Sequence, residues 1–502
     1  MNPPSGAAAT GGEATEQESA AIPRTRKVGV VVILCAALAS VGPLLVESGV
    51  VPSAYAATSL TNMTITFFLV ALVLAIWCPG YVAMTQYTPT GGAMYAIATE
   101  GLGRLVGVPV AFVALLSYGL LQVALYGLLG VQMSGFLSAE YGINHSWWVW
   151  AGAVWVLVTA LGQVRLRNIG LFLGFLTLLE MIVSLLISGR GLANPAPHQL
   201  WHSLVSGHLT WAAFGASAAI CVLGFIGFET TAVYTREADR PRRSVTRATY
   251  ICLLLAAVIY TLAAWAMQAH YGAQTVATAQ SQGSGMYFGM GTGTEATIGN
   301  WLLITSLLAA LLGYHNGWVR YAFTGARARM LPLSLAATNR HGVAWRASVL
   351  QSLSGLVAIL LTQAFHWNPL YQTFYIGGTA GGFGVLVLLA VTAVAIVAYF
   401  RRAEHSERAT TALILPGIAA VLLVLGVVLA AWHFGLMIGV ASNDATAWLW
   451  PLGFLAVALL GLGWALWAKR FSPAKYKALS SSLVAAPAIP QPQDEALAEG
   501  AR

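Results

Sequence analysis

Residues 28–57 read VGVVVILCAALASVGPLLVESGVVPSAYAA, an apolar run that contains a single charged residue, Glu47. A run of this length is long enough to cross a lipid bilayer as a helix. Near its middle stand Gly42 and Pro43. Proline removes a backbone donor, and glycine permits non-helical backbone angles. The stretch therefore predicts a membrane helix that is interrupted close to its midpoint.

Apolar runs of similar length recur along the whole chain. Of its 502 residues, 58% are hydrophobic and 8% are charged, and the mean hydropathy is +0.73. Soluble domains carry about 25% charged residues, so a water-soluble fold is excluded. Because the bilayer core offers no water to the backbone, each run must be helical, and the period-two strands of a membrane barrel are absent. We predict an all-α transmembrane fold with twelve helices, near residues 28–57, 63–84, 105–137, 147–163, 168–189, 212–235, 248–270, 297–323, 345–365, 371–400, 409–433 and 446–468.

The basic residues predict the orientation of these helices. If twelve helices alternate in direction, all of the 25 Lys and Arg residues except Arg190 fall on one side. Such residues are retained on the cytoplasmic side, so we expect a multi-pass protein of the cytoplasmic (cell) membrane with both termini in the cytoplasm. The net charge of +8 then reflects topology, and no nucleic-acid partner is expected.

The chain ends differ in composition from the apolar part. Residues 1–27 are predicted to be a disordered cytoplasmic segment, and the first apolar run is predicted to act as an uncleaved signal anchor. Residues 28–470 are predicted to form the transporter domain, and residues 471–502 a cytoplasmic tail.

A second interruption is predicted in the sixth run, where residues 224–229 read GFIGFE. Half-helix N-termini present free N–H groups to an anion, and half-helix C-termini present carbonyl groups to a cation. An amino acid carries both charges, so two such breaks predict a site for it. The alternative is that these glycines and the proline only kink or pack the helices. The predicted substrate-binding residues are Gly42, Pro43, Leu44, Glu47, Gly224, Phe225, Ile226, Gly227 and Phe228.

Four motifs carry a resemblance to a known family. They are PTGGAMY at 89–95, GFE at 227–229, EADRPRRSVTRA at 237–248 and ARARMLP at 326–332. Over residues 28–400 the chain resembles the amino acid–polyamine–organocation superfamily of permeases. That resemblance implies a five-plus-five inverted repeat with discontinuous helices one and six, followed by two extra helices. The first repeat would be 28–189, the second 212–400, and the extra helices 409–468.

The resemblance also suggests a gate. Glu229 would lie on the cytoplasmic side of the substrate, hydrogen-bonded to the Tyr95 hydroxyl. The alternative is a structural carboxylate that caps a half-helix. The sequence departs from the family at the first break, where Gly42-Pro43 replaces the Gly-Ser-Gly pattern of many members.

Two acidic residues lie inside apolar runs, where an ionisable side chain normally faces a cavity or a partner. Glu180 is the only charged residue in the fifth run, and a buried carboxyl that gains and loses a proton is a candidate for proton coupling. A carboxylate paired with a nearby hydroxyl or basic residue is the alternative. Glu47 is a candidate contact for a substrate ammonium group, which leaves amines and cationic amino acids open as substrates.

Aromatic and histidine residues have two interpretations each. Phe225 and Phe228 flank the second break and would either cover the substrate or pack in the core. His315 is expected to hydrogen-bond between helices, and a proton relay is the alternative.

The predicted function is secondary active transport of amino acids by alternating access, coupled to protons or working by exchange. A permease for polyamines or other organic amines, a non-transporting nutrient receptor and a channel are the alternatives. No catalytic motif, cofactor site or metal site is predicted, and the four cysteines are expected to be packing residues. The expected partners are an amino acid or amine, a proton and the lipid bilayer.

Overall fold

The structure is a computed structural model that describes residues 29–88, 94–164, 170–204, 210–231, 238–340, 342–441, 444–473 and residue Tyr476. Within those ranges the chain is all-helical, without a β-strand. Twelve apolar helices follow one another in the predicted order: α1 Val30–Thr58, α2 Met63–Met84, α3 Arg104–Tyr141, α4 Trp147–Leu161, α5 Gly170–Ala193, α6 Trp211–Phe225, α7 Pro241–Tyr271, α8 Gly293–Arg327, α9 Trp345–Ala364, α10 Pro369–Phe400, α11 Thr410–Trp432 and α12 Thr446–Phe471.

Eleven of the helices in the described ranges are long and apolar enough to cross a membrane. The remaining one, α4, is apolar but has only 15 residues, fewer than the roughly 20 that a straight span needs. The all-α transmembrane fold class is therefore confirmed. Five short α-helices of the described residues were not predicted: Met94–Leu102 before α3, Gln199–His202 between α5 and α6, Thr275–Gln282 and Gly285–Phe288 between α7 and α8, and Phe434–Met437 between α11 and α12.

Polar capping residues extend several helices beyond their apolar runs. Thr292 accepts the Glu295 N–H and Glu295 in turn accepts the Thr292 N–H, so α8 begins four residues earlier than its apolar run. The Asn368 side chain accepts the N–H groups of Leu370 and Tyr371 at 2.9 and 3.1 Å and starts α10. Satisfying the free amides at these ends lets the helices continue into the headgroup region.

Burial separates the helices at the centre from those at the perimeter. In their most apolar stretches, α6 is 72% buried and α1 is 67% buried, whereas α11 and α12 are 28% and 17% buried. The long helix α3 packs against α8, α10 and α12, and α1 packs against α5 and α7. The two interrupted helices thus lie inside the bundle, where protein and not lipid covers their irregular backbone.

We call the end of the bundle that holds the start of α1 and the end of α12 the arginine-rich end, because Arg320, Arg327, Arg329, Arg346 and Arg402 lie there or beside it. At the opposite end, Arg190 pairs with Glu295 at 2.8 Å. All four cysteines are buried and free.

Several predictions fall outside the described residues. These are the terminal segment 1–27, most of the tail 471–502, the stretch 89–93 of the first motif and residues 232–237 after α6. The inverted relation between the two sets of five helices stays a prediction.

Candidate functional site

Helix α1 is interrupted at Gly42, as predicted. Its first half, Val30–Val41, ends at Gly42, which has a left-handed conformation with φ of 59°. Pro43 has no N–H to give to the preceding turn. The helix then continues through a π-helical segment, Leu45–Val50, into Val51–Thr58. The break thus leaves carbonyl groups of the first half and amide groups of the second half without their regular helical partners.

Helix α6 is interrupted at the predicted glycine motif. The α-helix ends at Phe225, and Gly227 has a φ of +118°, a backbone conformation that L side chains rarely adopt. A Cβ atom at Gly227 would lie 2.6 Å from the carbonyl oxygen of Ser40 and 3.0 Å from the backbone nitrogen of Val41. Only glycine therefore fits here, and the break of α6 packs directly on the backbone at the end of the first half of α1.

A small cavity of about 30 Å³ lies beside the two breaks. This volume is about that of one water molecule. The walls come from five helices, α1, α3, α6, α8 and α10, together with Ile226 at the break after α6. They are formed by Val41, Leu45, Val46, Val50, Leu121, Ala124, Leu125, Leu223, Ile226, Tyr314, Phe374 and Gly378.

The cavity wall is almost wholly apolar. Tyr314 is its only polar side chain. Of the predicted substrate-binding residues, Ile226 lines the cavity, whereas Gly42, Leu44 and Gly224 lie on the adjoining turns of the two helices.

Glu180 of α5 lies beside the break in α1. The Leu44 N–H and the Ser306 hydroxyl of α8 interact with its carboxylate, and the side chain is 1% exposed. Its Oε2 atom has no hydrogen-bond partner among the described residues. Leu44 directly follows Pro43 and stands at the start of the second half of α1, the positive end of that half-helix. Glu180 therefore occupies a position that stabilises an anion.

Glu47 lies in the π-helical segment of α1 and is fully buried. The Ser184 hydroxyl of α5 donates to its Oε1 atom at 2.6 Å, and the Tyr287 hydroxyl also interacts with the carboxyl group. Tyr287 in turn lies 3.0 Å from the Ser188 hydroxyl. Glu47 is not part of the cavity wall. In this conformation its neighbours are hydroxyl groups of the protein, so its contact with a substrate ammonium group stays a prediction.

Glu229 follows the break in α6 and folds back on it. Its Oε2 atom accepts the Gly227 N–H at 2.8 Å, and the Tyr118 hydroxyl of α3 interacts with the same carboxylate. Tyr95 instead interacts with Thr324 of α8. In this conformation Tyr118, and not Tyr95 as predicted, is the tyrosine that interacts with Glu229.

A row of tyrosine rings connects Glu229 to the cavity. The ring of Tyr118 lies 6.3 Å from that of Tyr314 and 5.5 Å from that of Tyr321, and Tyr321 lies 5.1 Å from Tyr95. Since Tyr314 also lines the cavity, this row runs from the cavity toward the arginine-rich end. Tyr95 belongs to this row although it does not bond Glu229, and the predicted gate formed by Tyr95 and Glu229 stays a prediction.

The comparison with known protein families decides the class of the chain. The profile of the family described as amino acid permease matches residues 29–459. The chain belongs to the amino acid permease family. It is accordingly a multi-pass membrane protein of a family that transports amino acids, and the resemblance drawn from the sequence motifs is confirmed.

Two predicted residues of this permease pack away from the cavity. The ring of Phe225 lies 6.1 Å from that of Phe67 and 5.5 Å from that of Tyr260, and Phe228 lies 5.8 Å from Trp77. Neither ring lines the cavity. In this conformation both phenylalanines hold α6 against α2 and α7, which is the packing alternative.

His315 of the permease joins four helices. Its Nδ1 atom lies 3.2 Å from the Gln122 amide nitrogen of α3, and its Nε2 atom lies 2.8 Å from the Ser348 hydroxyl of α9. Ser348 also bonds the Gly162 carbonyl after α4. Because the Gln122 amide can only donate, Nδ1 accepts and Nε2 carries the proton, so the ring is a neutral link between helices.

Several residues of the site were not singled out from the sequence. Ser184 and Ser188 follow Glu180 at intervals of four, which places all three on one face of α5, and this spacing was a usable signal. Tyr118 and the α3 residues of the cavity wall stand in a mainly apolar run with only scattered polar residues such as Ser117 and Gln122. There, no single-residue signal marks which face meets the cavity.

Proposed function

We propose that this permease carries amino acids across the cytoplasmic membrane by alternating access, with both termini in the cytoplasm. The observation that supports this most directly is the contact between Gly227 and the Ser40 backbone beside the small cavity. Two interrupted helices that meet at one buried point give a binding site whose halves can separate toward either side of the membrane. The arginine-rich end is then the cytoplasmic end.

The charged ends of an amino acid match the two breaks. The first half of α1 ends at Val41 and α6 ends at Phe225, so the negative ends of two half-helices converge. We assign the substrate ammonium group to these carbonyl ends and the substrate carboxylate to the Leu44 amide end of α1.

Glu180 already occupies that amide end. A substrate carboxylate that takes the Leu44 N–H displaces the charged form of Glu180 from its principal backbone donor. In an apolar surrounding, a carboxyl group without donors is more stable when protonated. Substrate binding and proton uptake by Glu180 are thereby linked through competition for one amide, and the permease works as a proton symporter.

The apolar wall favours a neutral amino acid with an aliphatic side chain. No acidic or basic side chain lines the cavity, and Leu121, Leu125 and Ile226 contribute branched aliphatic surface. The alternative of a polyamine or other organic amine would place a second cationic group against this wall without a counter-charge, which is costly. Expansion of the cavity accompanies binding, because its present volume is far smaller than an amino acid.

Uptake into proteoliposomes tests the proposal. We expect saturable uptake of radiolabelled aliphatic amino acids that increases with an inward proton gradient, and little uptake of lysine, glutamate or putrescine. Binding without flux would indicate a receptor, non-saturating flux would indicate a channel, and preferential uptake of putrescine would indicate an amine permease.

Substitution of Glu180 tests the coupling. Glu180→Gln should abolish the response to the proton gradient while counterflow of substrate continues, because exchange needs no net proton movement. Ile182→Ala, on the exposed side of α5, is the matched control and should keep the response. Unchanged proton-driven uptake by Glu180→Gln would contradict the role of this carboxylate.

A further inference from the structure

Glu47 of α1 and Glu180 of α5 lie at the same buried contact between these two helices. Ser184, four residues after Glu180 on α5, donates to Glu47, and the N–H of Leu44, three residues before Glu47 on α1, interacts with Glu180. Their side chains are 0% and 1% exposed. Two negative charges at one contact away from water repel each other, because the low effective dielectric of the interior weakens screening.

In the described part of the chain, no basic group interacts with either of the two carboxyl groups. Arg190 of α5 pairs instead with Glu295. The titratable groups that face the pair from neighbouring elements are Tyr260 of α7 and Tyr287 of the short helix Gly285–Phe288, and both are phenols. The polar contacts of the two carboxyl groups are therefore with neutral hydroxyl and amide groups.

Each carboxyl group also has an oxygen atom without a partner. These atoms are Oε2 of Glu47 and Oε2 of Glu180, and neither has a hydrogen-bond partner among the described residues. A bound cation would supply what both atoms lack. A group of three or more His, Cys, Asp or Glu side chains that could hold a metal ion was not found in the described part of the chain.

We infer that Glu47 and Glu180 form a single proton-binding site, in which one carboxyl group stays protonated whenever the other is charged. Glu47 is then a positioning residue. It does not touch the substrate, but its charge or proton sets the pH at which Glu180 releases its own proton. This inference rests on the proposed proton coupling and adds to it the partner that tunes the coupling.

The two carboxyl groups have different hydrogen-bonding neighbours, and this difference indicates which one holds the proton at rest and which one titrates during transport. The Leu44 N–H near Glu180 can only donate, so it favours Glu180 as the charged acceptor. Glu47 faces hydroxyl groups of Ser184 and Tyr287, and a hydroxyl group accepts a hydrogen bond as readily as it donates one. The shared proton accordingly resides on Glu47 at rest, and Glu180 is the member that titrates during transport.

The inference is tested by Glu47→Gln, which keeps the shape of the protonated carboxyl group but has no proton to release. Because Glu47 stays protonated while Glu180 titrates, proton-driven uptake by Glu47→Gln should retain its maximal rate and its pH profile. Ile182→Ala, on the exposed side of α5, is the control and should also retain both. A shift of the profile toward acid in Glu47→Gln alone would mean that Glu47 is charged while Glu180 titrates.

Infrared spectroscopy of the purified permease provides a readout that does not depend on transport. The C=O band of a protonated carboxyl group should persist to higher pH in the wild type than in Glu47→Gln or Glu180→Gln, and Glu229→Gln should remove its own contribution without moving that midpoint. Failure of all variants and wild type to transport would refute the proposed function, while the infrared midpoints still decide the inference.

Three results would overturn the inference. One is an unchanged infrared midpoint in Glu47→Gln. Another is a many-fold rise in KM at every pH for Glu47→Gln, which would mean that Glu47 binds the substrate. The third is thermal stabilisation of the wild type by Na⁺ that Glu47→Gln lacks, which would mean that the pair binds a metal cation and not a proton.

Discussion

Gly227→Ala tests whether the two interrupted helices must touch for transport. In the structure, a Cβ atom at this position would meet the Ser40 carbonyl oxygen at 2.6 Å and its carbon at 2.7 Å. These atoms belong to backbone and cannot move aside as a flexible side chain would. The substitution should therefore separate α6 from the first half of α1, or prevent the two from closing on a substrate.

The cost has two parts. A side chain at a φ of +118° strains the backbone by about 1–3 kcal/mol. Overpacking against fixed neighbours adds about 1–3 kcal/mol. The smallest sum, about 2 kcal/mol, corresponds to a roughly thirty-fold loss of the closed arrangement. We expect uptake by Gly227→Ala to fall at least that far.

Two matched glycine variants separate these parts. Gly103→Ala, at a φ of +87° with no atom within 4 Å, should show backbone strain alone. Gly463→Ala in α12, also with open space around it, should be close to wild type. Uptake and the melting temperature in detergent would be measured for all three. The reasoning fails if Gly227→Ala behaves like Gly103→Ala in both measurements.

Three further substitutions test the proposed gate, the helix link and the cavity. Tyr118→Phe removes a hydroxyl that interacts with Glu229, a hydrogen bond of about 0.5–1.5 kcal/mol. Its loss should speed passive efflux of substrate from loaded vesicles about two- to ten-fold, and unchanged efflux would contradict the proposed gate. His315→Ala leaves the buried Gln122 amide unpaired at a cost of about 1–3 kcal/mol. The melting temperature should therefore fall, with partial recovery in His315→Gln. Equal melting temperatures of wild type and His315→Ala would show that the link does not stabilise the bundle. Ala124→Leu fills the cavity, so an added aliphatic amino acid should no longer raise the melting temperature. A rise that persists in this variant would place the substrate elsewhere.

Much of the fold was predictable because the bilayer imposes strict rules. Apolar length located the membrane helices, and α4 was recognised within two residues of its end although it is only 15 residues long. The glycine and proline residues of α1 located its break at Gly42, since backbone chemistry there depends on residue type alone. Helix ends at Thr292 and Asn368 were missed, because polar caps lie outside the apolar runs.

The side-chain partners were less predictable. The sequence shows that Glu47, Glu180 and Glu229 lie in apolar helices, but it does not show which direction each one faces. Rotation of a helix by one residue changes that direction by about 100°. The pairing of Glu229 with Tyr118 and not Tyr95 depends on how α3 crosses α6, which is a property of the packed bundle.

Glu180 and Glu229 each lie beside one of the two helix breaks. Glu180 interacts with the Leu44 N–H at the break in α1, and Glu229 accepts the Gly227 N–H at the break in α6. Pro43 has no N–H, so the first break offers one amide fewer to a carboxylate. In the proposed mechanism, Glu180 takes the Leu44 N–H when no substrate is bound, and the substrate carboxylate replaces it. Protonation of Glu180 then frees this amide and favours the substrate-bound state, which links the proton gradient to substrate binding.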